Sequence, residues 1–173
     1  MKICLLHLSD LHLKKDGPNS IIERIEKIGD AIQESILNSQ HLFVAVTGDI
    51  AFSGNQKEYA LATSLFDKLS SKFKGVNSEL DVHYIVVPGN HDCNFDLDVQ
   101  ARKLLIDSPG LSTNEGLEGY SEDSSIIDSC TQVQRDFFQW LESFLGKKLR
   151  WTPSVRQDRG YIKRGSCHPQ GYR

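Results

Sequence analysis

Three short stretches of the chain combine side chains that can bind metals or transfer protons, at spacings that would let them act together. They are Asp10-Leu11-His12, Gly48-Asp49 and Gly89-Asn90-His91-Asp92. Carboxylate, imidazole and amide oxygen ligands, with no thiolate among them, suit Mn, Fe or Zn. Two such ions about 3.5–4 Å apart can clamp a phosphate and convert bound water into a hydroxide nucleophile. The residue types therefore indicate metal-assisted hydrolysis of a phosphoester.

The spacing indicates a role for each of these side chains. Asp10 and His12 lie two positions apart, so on an extended segment they would point the same way and could bind one metal together. Asp49 has two carboxylate oxygens and could bridge two metals, while Asn90 offers a neutral oxygen to the second. His91 need not be a ligand, because beside the phosphate it could stabilise developing charge or protonate the leaving oxygen.

Each stretch follows a short apolar run, and these runs predict the elements that position the polar residues. The runs are residues 3–8, 42–46 and 82–87. They alternate little, as expected of strands that are covered on both faces. Helical periodicity fills the two gaps, through residues 21–36 and 59–73, and Asn55 with Glu58 resembles a capping box before the second helix.

The resulting β-α-β-α-β order predicts a parallel sheet with right-handed crossovers. Ligands bind at the carboxyl edge of such a sheet, so the three stretches would converge there. Each motif alone is a weak signal, since Asp-x-His pairs and Gly-Asp turns are common on protein surfaces. Asn90, His91 and Asp92 in succession are stronger, because a loop that needs only a turn rarely has three such residues together.

In this order and spacing, the motifs resemble those of the calcineurin-like metallophosphoesterases. The wording HLSDLHL, TGDIAFSG and VVPGNHD is most similar to the bacterial phosphodiesterase branch, over roughly residues 1–95. The ligands that the resemblance implies are Asp10, His12, Asp49 and Asn90. The first pair would hold one divalent ion, the aspartate of the second motif would bridge, and the asparagine would hold the other ion. His91 would assist the leaving group, with Asp92 supporting it.

The chain also departs from the family's pattern. The family continues with a histidine ligand on a later strand and a Gly-His-x-His motif, but here only His168 follows Asp92 and no Gly-His pair occurs. The family fold packs two sheets face to face, and strands of a second sheet are barely visible. We expect an α/β protein with the first, parallel βαβαβ half of that sandwich and the second sheet largely missing. Residues 1–150 would form the N-terminal part of the phosphoesterase domain and residues 151–173 an unpatterned tail.

Weaker patterns follow the third motif. Residues 97–105 predict a short helix ended by Pro109-Gly110, and residues 111–128 predict a loop. Ser129 with Gln132 predicts the cap of a helix through residues 133–145, whose aromatic side chains would face the core or a partner.

Composition limits the possible partners. The 173 residues carry a net charge of −3, which gives no support for nucleic acid, and no apolar run is long enough to span a membrane. The expected partner is a phosphoester substrate, with nucleotides among the candidates, together with a C-terminal part or a protein partner that completes the site. Four scattered cysteines without a CxxC pair indicate reduced thiols and a cytoplasmic protein.

Other interpretations carry less weight. The chain could be a non-catalytic fragment or a nucleotide- or protein-binding scaffold of the same fold. Cys167 to Arg173 has the Cys-x5-Arg spacing of cysteine-dependent phosphatases, but no apolar strand precedes it. Cys93 with His91 could bind zinc, although no second cysteine lies nearby. Among the remaining histidines, His7 and His83 lie within strands and are expected in the core, and His41 is expected on the surface.

Overall fold

The three apolar runs form one parallel sheet in the computed structural model, which describes residues 1–109, 113–146, 154–156 and 161–163. Strand β1 spans Ile3–Leu8, β2 spans His41–Thr47 and β3 spans Asp81–Val87. Their order in the sheet is β1-β2-β3, and all pairings are parallel. The predicted α/β fold with a parallel βαβαβ first half is confirmed.

Two crossovers connect these strands. Helices α1 (Ser20–Glu23) and α2 (Ile25–Leu37) replace the single helix predicted before β2, with the break at Arg24. Helix α3 (Gln56–Val76) precedes β3 and begins at the predicted capping box. There the Asn55 side chain accepts from the Lys57 N–H at 2.9 Å, and the Glu58 carboxylate accepts from the Asn55 N–H at 3.1 Å.

The two faces of the sheet differ sharply. On one face, Leu42, Val44 and Val46 of β2 are fully buried in the main hydrophobic core, which includes side chains of α2 and α3. The opposite face, here called the open face, carries the alternate strand residues. These are Ile3, Leu5, His7, His41, Phe43, Ala45, Asp81, His83 and Ile85. On it Leu5 is 67% exposed and Ile85 is 54% exposed.

The open face corrects two expectations. The strands were expected to be covered on both faces, but within the described residues their apolar alternate positions meet solvent. His7 and His83 were expected in the core, yet both are exposed because they lie on this face. Apolar residues on both faces of a strand therefore do not show that both faces of the sheet are covered.

A helical segment follows β3. Its elements are a 3-10 turn Phe95–Leu97, α4 (Gln100–Ile106), α5 (Asn114–Ser121), α6 (Ser124–Thr131), a 3-10 turn Gln132–Gln134 and α7 (Arg135–Leu145). The loop expected over residues 111–128 is therefore wrong where the structure describes it. The Asp123 carboxylate caps α6, and the Thr113 hydroxyl accepts from the Gly116 N–H at the start of α5. Ser129 is not a cap, because it lies within α6 and donates to the Ser125 carbonyl.

Helix α7 packs against α3 through aromatic side chains that lie in the core. Trp140 stacks on Tyr59 with ring centroids 5.2 Å apart, and its indole N–H donates to the Thr63 hydroxyl at 2.9 Å. Two short strands, β4 (Ser154–Arg156) and β5 (Tyr161–Lys163), pair antiparallel in the segment expected to lack a pattern. Among the described residues, no helix has the length and apolar character needed to cross a membrane.

Candidate metal centre

The three polar stretches meet at the carboxyl edge of the sheet, because backbone pairing continues beyond the strands. The N–H of His12 donates to the Asp49 carbonyl at 2.9 Å, and the N–H of Leu13 donates to the Ile50 carbonyl at 2.9 Å. The loop after β3 approaches closely enough to require glycine, since a Cβ on Gly89 would lie 2.1 Å from Asp49 Oδ1. The register of the strands therefore brings together motifs that lie far apart in the sequence.

Backbone strain is concentrated on the predicted ligands. Among the described residues, the non-glycine residues with positive φ are Asp10 (57°), His12 (46°) and Asp49 (54°). The left-handed region costs an L-residue roughly 1–3 kcal/mol and persists only where the surroundings impose it. The fold thus holds three predicted metal ligands in a conformation that each would avoid on its own.

The side chains form a compact cluster. Ligand atoms of His12, Asp49 and His91 all lie within 4.8 Å of one another, and His12 Nε2 is 3.7 Å from Asp10 Oδ1. His12 Nδ1 is buried and has no hydrogen-bond partner among the described atoms. A histidine with one unpaired buried nitrogen, in a cluster that also holds two carboxylates and a second imidazole, fits a divalent cation with oxygen and nitrogen ligands.

His91 is fixed by two hydrogen bonds. Its backbone N–H donates to Asp49 Oδ1 at 2.9 Å, and its Nδ1 lies 2.8 Å from the Phe52 carbonyl oxygen. A carbonyl only accepts, so Nδ1 carries the proton and Nε2 remains available for a ligand or a proton. The geometry admits both the predicted catalytic role and direct metal ligation.

Asp92 has a different environment from the other acidic residues of the cluster. It is fully buried and accepts hydrogen bonds from the N–H groups of Ala51 and Gly89, each at 2.9 Å, from the Ile50 N–H and from the Tyr59 hydroxyl. Burial raises the pKa of the Asp92 carboxyl, and these hydrogen bonds oppose the rise. Burial beside Asp92 likewise raises the pKa of Tyr59. The Asp92 side chain joins the loops after β2 and β3, so any support for His91 acts through loop position.

Asn90 lies exposed between Gly89 and His91 in the loop after β3. Its predicted role as a ligand of the second metal stays a prediction. Cys93 does not belong to either group of candidate metal ligands in the described residues, so the structure gives no support for a zinc site that it shares with His91. The Cys167–Arg173 motif and His168 fall outside the described residues.

The structure adds residues that the motifs did not reveal. Asn94 donates to the Asp136 carboxylate at 2.7 Å, which ties the loop after β3 to α7. At the rim, the Phe52 ring is 44% exposed and lies 5.7 Å from the His91 ring, with Lys14 Nζ 4.6 Å above it. The available signal for Phe52 was an aromatic residue inside the second polar motif, where a turn needs none.

Comparison with known proteins gives the family of this chain. The sequence model of the family described as calcineurin-like phosphoesterase matches residues 4–154. This chain therefore belongs to the calcineurin-like phosphoesterases, a family of metal-dependent hydrolases, which confirms the family that the motifs indicated.

Two curated proteins are similar in sequence. One is an uncharacterized metallophosphoesterase-like protein of Bacillus subtilis, YydB, 34% identical over 154 residues. The other is an uncharacterized protein of Acanthamoeba polyphaga mimivirus, 31% identical over 94 residues. The alignments cover 86% and 52% of this chain, but only 29% and 6% of the respective relatives. The chain thus corresponds to a minor part of each relative's length.

Proposed function

We propose that the carboxyl edge of the sheet binds two divalent ions, with Mn, Fe or Zn as candidates, and hydrolyses a phosphodiester or phosphomonoester. The observation that carries the proposal is the cluster of His12, Asp49 and His91, with Asp10 adjacent to His12 and with one nitrogen of His12 buried and unpaired. Asp10 and His12 would hold the first ion, Asp49 would bridge, and Asn90 would contribute to the second. When bound, the ions would neutralise phosphate charge and lower the pKa of a bound water.

Residues of this chain would orient the ligands and donate the proton. The His91 N–H holds Asp49 Oδ1, so one carboxylate oxygen is oriented by the loop that carries the proposed acid. With Nδ1 held by the Phe52 carbonyl, His91 Nε2 is the atom that donates a proton to the leaving oxygen. Asp92 positions this loop and does not touch the substrate.

The rim favours a substrate with an aromatic group. Phe52 offers an exposed ring next to the two histidines, and Lys14 places a cation over it. A flat ring and a negative charge would be recognised together, which supports a nucleotide-type phosphodiester over a simple monoester. Stacking on an aromatic side chain stabilises a bound base by about 1–3 kcal/mol.

A non-catalytic scaffold is the second candidate. It is favoured by the ligand histidines that the family has beyond the third motif, since in this sequence only His168 follows Asp92. The same observation supports a site that is completed by a further C-terminal part or by a partner, and the exposed apolar open face supports such a requirement. Residues 1–150 would be the phosphoesterase part. Cys4 and Cys130 are free thiols, which supports a cytoplasmic location.

The test separates metal binding, phosphate binding and turnover. Mn²⁺ is titrated into the chain and into Asp49→Ala, inorganic phosphate binding is measured with and without Mn²⁺, and bis-p-nitrophenyl phosphate hydrolysis is followed. We expect phosphate to bind only with Mn²⁺ and turnover to be slow but Asp49-dependent, because the ligand set of the second ion is partial. Metal-dependent phosphate binding without turnover would show that the chain is a non-catalytic scaffold and not a hydrolase. Mn²⁺ binding that Asp49→Ala leaves unchanged would refute the proposed centre.

A further inference from the structure

A second cluster of metal-binding side chains lies at the amino end of the sheet, on the open face. His41 and Asp81 are the first residues of β2 and β3, and His83 is two residues further along β3. One ligand atom from each lies within 4.8 Å of the others. The strands separate this cluster from the centre described above by about 20 Å, given ~3.3 Å per residue.

We propose that His41, Asp81 and His83 form a zinc site with an open fourth position. Two neutral imidazoles and one carboxylate are a ligand set that zinc accepts, with water or an external group as the fourth ligand. Imidazole-rich sites bind Zn²⁺ far better than Mn²⁺, in line with the general order of metal affinities. Zinc is also a candidate at the carboxyl-end centre, so the test must separate the two clusters.

The distances agree with a tetrahedral ion. Bonds of ~2.0–2.1 Å to zinc place neighbouring ligands ~3.3–3.5 Å apart. His41 Nδ1 lies 3.3 Å from His83 Nε2 and 3.6 Å from Asp81 Oδ2. Two of the three ligand separations are thus already near those of the bound state, without movement of the sheet.

Regular sheet geometry holds these ligands in place. His41 lies directly opposite Asp81 in the parallel pairing, and Asp81 and His83 point to the same face because they are two residues apart. The His83 ring stacks on Phe43, with centroids 4.8 Å apart and an interplanar angle of 22°. Stacking restricts the ring torsion, so His83 Nε2 remains directed toward the other two ligands.

The site is exposed to solvent, which leaves room for the fourth ligand. Asp81 and His83 are exposed and His41 is half-buried. The site needs nothing from the phosphoesterase centre, so it can be tested while that centre is disabled.

The experiment measures Zn²⁺ stoichiometry and affinity by calorimetric titration at slightly alkaline pH, because zinc binds the neutral form of an imidazole. The variants are His83→Ala and Asp81→Asn, each made in the unaltered chain and in an Asp49→Ala background. His7→Ala is the matched control, since His7 is an exposed histidine on the same open face that bonds Thr47 and lies outside the cluster.

We expect His83→Ala and Asp81→Asn to lose one Zn²⁺ per chain, or to weaken that site more than about 100-fold, in both backgrounds. His7→Ala should keep it, and Mn²⁺ binding at the other centre should not change. Co²⁺ in place of Zn²⁺ should give the intense visible bands of tetrahedral coordination in the chain and not in His83→Ala. Unchanged Zn²⁺ affinity in both variants would overturn the proposal. Circular dichroism checks that each variant is folded. If His83→Ala does not fold, the shape-conserving Asp81→Asn tests the proposal.

Discussion

The two ends of the parallel sheet carry similar side chains on very different backbones. At the carboxyl end, Asp10, His12 and Asp49 lie on loops in the left-handed region, and their neighbours are held by buried Asp92. At the amino end, the histidine–aspartate cluster occupies ordinary strand positions, and none of its members is among the strained residues of the described chain. A site on loops thus needs a supporting network, whereas a site on strands uses the register of the sheet.

At the carboxyl end, two kinds of residue can be distinguished: the metal ligands and the supports, which are residues such as Asp92 that hold the loops in place. A ligand there contributes to metal binding while its backbone opposes folding, so its loss should affect function much more than stability. A support contributes to both, because the loops that it joins carry the ligands. At the amino end the backbone is regular, so side-chain changes should leave the fold as it is.

The largest effect is expected for Asp49→Ala. Removing the proposed bridging carboxylate should abolish Mn²⁺ binding at the centre and reduce Mn²⁺-dependent hydrolysis by on the order of 10³-fold, or to background. The free energy of unfolding should change by no more than about 1.5 kcal/mol, since one hydrogen bond to His91 is lost. Urea denaturation and metal titration on the same preparation check both values. A severe loss of stability would place Asp49 among the supports.

Asp92→Asn should affect stability and metal binding together. Asparagine keeps the shape, but its amide nitrogen would face an N–H donor where the carboxylate now accepts from Ala51, Gly89 and Tyr59. One unsatisfied buried donor costs about 1–3 kcal/mol. Mn²⁺ affinity should fall about 10–100-fold, as for other groups that orient ligands. Asp123→Asn is the control, because Asp123 is an exposed helix cap at which asparagine serves equally well.

Much of this carboxyl-end site could be predicted because its signals are local. Apolar runs followed at once by polar motifs fixed the strands and their carboxyl ends, and Asn55 with Glu58 predicted the start of α3 correctly. The backbone strain could not be predicted, because an aspartate or a histidine in a sequence, unlike a glycine, does not indicate a positive φ. Nor could the sequence show that Asp92, alone among the polar residues of its motif, is fully buried.

The errors have equally specific causes. Helices α5 and α6 were missed because Gly116 and Gly119 weaken the helical pattern and the serine-rich segment resembles a loop, while their caps at Thr113 and Asp123 supply the start signals. Sequence periodicity could not show that one sheet face is open, because the strands are apolar on both sides. The amino-end cluster was missed for the same reason, since its histidine on β3 was assigned to a covered face.

The strain itself can be measured at Asp10. Asp10→Gly and Asp10→Ala both remove the carboxylate, so both should weaken Mn²⁺ binding to the same degree. Only glycine relieves the backbone, which has a φ of 57°. We expect Asp10→Gly to be more stable than Asp10→Ala by about 1 kcal/mol in denaturant unfolding. Equal stabilities would mean that the loop relaxes around residue 10, and the contrast with the amino end would then rest on His12 and Asp49.

The smallest effect is expected for Asp81→Asn without metal, which is the amino-end counterpart of Asp92→Asn. Asp81 is exposed on a regular strand, and its only ion pair among the described residues is with His41, at 3.6 Å, so the free energy of unfolding should change by less than about 0.5 kcal/mol. Zinc should separate the two chains, because a ligand that binds only the folded state raises the melting temperature. Both chains carry Asp49→Ala, which disables the other centre. The chain that keeps Asp81 should be stabilised by Zn²⁺ at the amino-end cluster, and the chain that also carries Asp81→Asn should not be stabilised. A metal-free stability loss above about 1 kcal/mol would show that the amino-end carboxylate supports the fold, as Asp92 does, and would remove the distinction between the two ends.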